Sequence, residues 1–159
     1  MDNMNEMARV GIKASLSIRV IELSGKIIDY GVLSVKCVTT AFVNLLVDKL
    51  QGGAGDLDTF KYHDFGTGTT AEAIGDTAME TATGEAREVG TQVDGATANI
   101  YKSVATHVFA GDFTITEHGL FNALTVGVLM DRSILVTAVP ITTGANIEAT
   151  YQLTFTPGS

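Results

Sequence analysis

TYQLTF, residues 150–155, is the stretch that decides the fold. Thr150, Gln152 and Thr154 alternate with Tyr151, Leu153 and Phe155, the period of two that sends successive side chains to opposite faces of a strand. A strand with one apolar and one wetter face belongs in an antiparallel sheet covered on one side only. RVGIKASLSIRVIEL (9–23) repeats the pattern, with Val10, Ile12, Ala14, Leu16 and Ile18 on one side and Lys13, Ser15 and Ser17 on the other. GKIIDYGVLSVKCV (25–38) reads as further extended chain without a clear register.

Strand signals continue through 98–123 and 126–157, with turns predicted at Gly111, at Gly127 or Asp131, and at Gly144. The 21 threonines favour strand over helix. One helix stands out, TTAFVNLLVDKLQGG (39–53): Thr39 or Thr40 caps it, Phe42, Leu45, Leu46 and Leu50 recur at helical spacing, and Gly52-Gly53 stops it. The expected fold is mainly β: an antiparallel sandwich or jelly-roll-like domain over 9–159, with one short helix near 40–51, behind an N-terminal arm at 1–8. The arm could add to a neighbour's sheet edge.

At 159 residues and 45% hydrophobic composition, the chain has enough apolar side chains for a single core. No apolar run reaches the roughly 18 residues of a membrane span, and the acidic start lacks the apolar block of a secretory signal. Cys37, the single cysteine, excludes an internal disulfide and reads as a buried hydrophobe. Nearly all the net charge of −8 lies between Asp56 and Asp94, where nine acids face Lys61 and Arg87. Such a region repels a phosphate backbone, and no basic stripe offsets it, so neither nucleic acid nor membrane is an expected partner. The acids read as a solvated surface, or as one that meets a basic protein. Within this region, 66–95 is a Gly/Thr-rich acidic excursion with few large apolar residues.

DFGTGTTAEAIGDTAME (64–80) raises the question of a phosphate loop. Gly66, Gly68 and Ala71 meet a loose G-x-G-x-x-A spacing, but no long amphipathic helix follows and no Lys-Ser or Lys-Thr pair is present. Flexible glycines, with threonine hydroxyls bonding nearby backbone, are enough for a turn. His63-Asp64 with Asp58 imitates a metal half-site and Glu117-His118 an acid/base pair, but neighbours on a strand point to opposite faces. His63, His107 and His118 therefore read as satisfied surface or interface histidines. Ser24, Ser34, Ser103 and Ser133 lack the local context of a nucleophile. The residues assign no catalytic, cofactor-binding or metal site, and no cofactor. HGLFNALTVGVLM (118–130) is apolar for a turn and is read as core with an excess that a subunit interface could take.

FGTGTTAEAIGDTAME (65–80), ITEHGLFNA (115–123) and VTAVPITTGANIEATYQLTFTP (136–157), in this order, resemble tailed-bacteriophage virion structural proteins. The resemblance spans roughly 28–157. It implies a non-enzymatic part of the virus particle: a capsid decoration, or cement, protein on the outer capsid surface. Such a protein binds across junctions of the major capsid protein and self-associates as a dimer or trimer. A small tail, baseplate or fibre-attachment component is the alternative, and a carboxylate-based glycan hydrolase the enzymatic one. In this group Glu117, Gly119, Leu120, Phe121 and Asn122 look like fold-defining positions. Glu72 or Ile74 replaces the usual proline after the Gly-Thr turn, and His118 stands where small or apolar residues are common.

Overall fold

A computed structural model describes residues 10–36 and 38–158. The arm at 1–8 and Cys37 lie outside the described residues. Within them the order is β1 (Gly11–Ile21), β2 (Ile27–Lys36), α1 (Thr40–Leu50), a 3-10 turn (Leu57–Thr59), β3 (Tyr62–Gly66), β4 (Glu88–Val89), β5 (Thr91–Asp94), β6 (Ile100–Val108), β7 (Phe113–Phe121), β8 (Leu129–Ile141) and β9 (Asn146–Thr156). Two antiparallel sheets, β2-β1-β9-β6-β5 and β4-β3-β7-β8, pack face to face as a β-sandwich.

The predicted alternation is the inner face of the first sheet. Leu16 pairs with Tyr151, Ile18 with Ala149 and Val20 with Ile147, all buried, while Ser17 and Thr150 face outward. From the second sheet Phe65, Ile115, Leu120, Met130, Val139 and Ile141 complete the core. Each such large apolar side chain taken from water contributes about 1.5–3 kcal/mol, and their side-by-side burial is what holds the sheets together.

The helix lies against β8. Thr39 caps it by accepting the Phe42 amide at 3.2 Å and donates its own hydroxyl to the Leu129 carbonyl at 2.6 Å. Phe42 is buried against the Phe60 ring, with centroids 5.1 Å apart, and Leu45 and Leu46 pack on the core. Leu50, expected on the same apolar face, is 87% exposed. Gly52, at φ +82°, ends the helix in the left-handed conformation that glycine adopts without strain. Turns occur near Gly111, Gly127 and Gly144, but Asp131, the alternative to Gly127, sits inside β8. The apolar stretch 118–130 divides: Leu120, Phe121, Leu129 and Met130 are buried, while Leu124 and Val126 are exposed at its tip.

Candidate functional site

Between Ile115 and Glu117 the register of β7 against β8 slips, and the bulge sets which side chains face each way. Glu117, Gly119 and Phe121 meet the 67–87 excursion on the outside of the second sheet, while His118 and Leu120 face the core. Glu117 is fully buried, and its carboxylate is saturated. It accepts the backbone amides of Gly68 at 3.2 Å, Glu80 at 2.6 Å and Thr81 at 3.1 Å, and the Arg132 Nε at 2.5 Å. Arg132 extends the network to Asp76 (3.0 Å), Glu80 (3.1 Å) and the Thr70 carbonyl (3.0 Å). Burial works against the guanidinium's charge, but Glu117 and Asp76 outweigh it and raise its pKa.

The Gly-Thr loop therefore does wrap an anion, and the anion belongs to the chain itself. The glycines serve closeness rather than the flexibility expected of them. Neither Gly66 nor Gly68 has a positive φ, but a Cβ on either would stand 2.5 Å from the Glu117 Oε2. The same applies at Gly119, where a Cβ would meet the Met79 sulfur at 2.5 Å.

Further along, Arg87 lies 3.4 Å over the Phe121 ring, donates to Asp64 at 3.1 Å and reaches the Ala123 and Val126 carbonyls. His107 Nε2 contacts Glu85 at 2.6 Å and its Nδ1 lies 3.5 Å from Glu88. The acidic region is thus not a uniformly solvated surface. Asp64, Asp76, Glu80, Glu85 and Glu88 are tied to Arg87, Arg132 or His107, while Asp56, Asp58 and Asp94 stay exposed.

Inside the sandwich the three histidines are buried, which corrects their reading as surface or interface residues. His63 Nδ1 lies 2.9 Å from His118 Nε2, and His63 Nε2 lies 2.8 Å from the Ser103 hydroxyl. Desolvation lowers the His63 pKa to about 3; it also lowers that of His118, with a further contribution from His63. Both rings are therefore neutral, and one ring donates to the other. Alongside, Asp131 accepts the Ser133 hydroxyl at 2.5 Å, and burial raises its pKa to about 7 against that hydrogen bond. Burial, with the Asp131 charge adding to it, pushes the Tyr151 hydroxyl well above its ordinary range.

Ser103, His63 and His118 have the spacing of a nucleophile, a base and an orienting group, but no substrate path reaches them. All three are fully buried, and Gly90 seals the end: a Cβ there would sit 2.3 Å from the Ser103 hydroxyl oxygen. Of the other candidates, Ser24 is in an exposed turn, Ser34 is buried, and Asp58 lies in the 3-10 turn apart from His63 and Asp64. Asp64 faces Arg87, and Glu117 and His118 point to opposite sides of their sheet. Among the described residues no three His, Cys, Asp or Glu side chains converge as metal ligands. Two signals pointed to these sites. His63 shares a strand face with Phe65 and His118 one with Leu120, and a glycine inside a strand, Gly119, marks close approach by another segment. Comparison with known proteins gives no match: no family model, curated protein or solved structure matches the chain.

Proposed function

We propose that this chain is a non-enzymatic virion structural protein of a tailed bacteriophage, acting as a cement or decoration protein on the outer capsid surface. The observation that carries this reading is the use made of the shared motif residues. Glu117 anchors the excursion, Gly119 admits Met79, Leu120 fills the core, Phe121 supports Arg87, and the Asn122 side chain accepts the Val128 amide at 2.7 Å. All five build the fold, which is the part the resemblance gives them. The polar clusters are consumed internally, so the chain acts through its surfaces.

Each copy buries a modest patch, of about 1,200–2,000 Å² per specific contact, across junctions of the major capsid protein. Self-association as a dimer or trimer multiplies weak contacts into avidity. The outer face of the five-stranded sheet, where Val32, Val35 and Val108 are exposed and Arg19 pairs with Glu148 at 2.6 Å, offers a mixed apolar and ion-paired surface for such burial. The test is co-sedimentation of the purified protein with matched shells lacking it, with separated tails as competitor. Saturable binding to shells at a fixed copy ratio supports the reading; binding to tails alone moves the protein to the tail, and binding to neither rejects a virion role.

A further inference from the structure

At the end of the sandwich where β1 begins and β9 ends, an apolar recess of about 210 Å³ opens beneath α1, lined by Phe42, Leu46, Leu57, Tyr101, Leu153 and Phe155 among others. Leu57, Tyr101 and Phe155 are shared with a wider open cleft of about 660 Å³, whose rim carries Asp58 and Asp94. The two hollows form one groove, with an apolar end and an acidic end. We infer that this groove docks a segment of a partner protein that carries a leucine- or phenylalanine-sized side chain next to a lysine or arginine.

Charge complementarity selects this occupant. Asp58 and Asp94 have no ion-pair partner among the described residues, in contrast to the five acids tied to Arg87, Arg132 and His107. Neutral polar groups at the groove are already spent. The Tyr101 hydroxyl donates to the Phe60 carbonyl and accepts from Gln92, and the Asn99 amide donates to the Phe155 carbonyl. A sugar would find few free donors there, whereas a cation finds two carboxylates beside the Tyr101 and Phe155 side chains. Leu50, one helical turn beyond Leu46 and 87% exposed, carries the apolar surface past the recess, so the groove suits a chain segment better than a small cation.

This inference deepens the surface-binding reading and rests on it only in taking the occupant to be a protein. The first test is therefore independent of the virion. The full chain is titrated by amide NMR with the blocked peptides Lys-Leu-Lys-Phe-Lys and Glu-Leu-Glu-Phe-Glu, and with spermidine. Saturable shifts at Leu57, Asp94 and Tyr101 with the basic peptide alone are expected. They should weaken at least tenfold in an Asp58→Lys/Asp94→Lys variant of unchanged thermal midpoint, and remain in a Glu22→Lys control at the far end of β1. Equal shifts with the acidic peptide, the same shifts with spermidine, or no shifts would overturn it. In the shell assay, wild-type binding that the double variant keeps would overturn the groove as the contact and leave the cement reading standing. Peptide binding by a protein that ignores shells would do the reverse.

Discussion

Glu117→Gln tests whether one buried carboxylate holds the acidic excursion in place. The change keeps the shape of the side chain but removes its charge from Arg132. It also turns one of two acceptor oxygens into a donor facing the amides of Gly68, Glu80 and Thr81. Breaking a buried, hydrogen-bonded ion pair on one side costs about 3–5 kcal/mol. Arg132 keeps Asp76 and Glu80, which places the cost toward the lower end of that range. For a domain of 159 residues, a loss of that order lowers the melting temperature by about 10 °C. Because the pins lie on the excursion, the effect should be local as well as global. Tryptic cleavage after Arg87, which lies half-buried against Asp64 and Phe121, should accelerate more than tenfold when followed by mass spectrometry. A further Arg132→Met change, which removes the stranded cation, should recover part of the loss. A midpoint within about 2 °C of wild type, together with unchanged cleavage after Arg87, would refute the argument that Glu117 organises this face.

Asp131→Asn probes the core network through pH. The Asp131 pKa is raised from 3.8 to about 7 on folding, so its stabilising protonation is complete below pH 3.8 and lost as pH rises through 7. The stability of the variant relative to wild type should therefore grow by up to about 4 kcal/mol between pH 4 and pH 8 in urea titrations, and a constant difference would sink the assignment. In that variant, His63 and His118 should dominate the acid side. Their lowered folded pKa values mean that stability falls as pH drops below 6.5, by roughly 3 kcal/mol from His63 alone by pH 4, measurable in the same titrations. Gly68→Ala should destabilise by about 1–3 kcal/mol, because the new methyl meets Glu117 at 2.5 Å and Glu80 at 2.7 Å. Gly75→Ala, with open space around it, should leave the melting curve unchanged. Thr39→Ala should cost about 1 kcal/mol through the lost helix cap, and Thr39→Ser should restore most of it; equal melting of the two variants would remove the cap from the account.

Strand identity was legible where the inner and outer faces differ in polarity. Leu16, Ile18, Tyr151 and Leu153 alternate with serine, threonine and glutamine, and all four are buried. The helix was equally plain, because Thr39 and Gly52 punctuate it with specific backbone chemistry. The histidines were misread because polarity was weighed one residue at a time. His63 and His118 are inside because their i+2 neighbours, Phe65 and Leu120, are inside, and each satisfies the other across 55 residues. The acidic stretch was misread for a related reason. Its charges looked solvated because Arg132, which neutralises Asp76 and Glu80, lies more than fifty residues away in sequence.

Local periodicity and turn chemistry determined on their own that this chain forms antiparallel β structure with a capped helix at Thr40–Leu50. They act between residues a few positions apart, which any stretch of sequence displays. Tertiary structure alone decided that the glycine loop closes on Glu117, that two neutral histidines share a proton bridge in the core, and that Asp58 and Asp94 flank an apolar groove. Those arrangements depend on register, on the bulge in β7 and on which sheet face each segment covers. Non-local pairing sets all three, and a one-residue slip would reverse them.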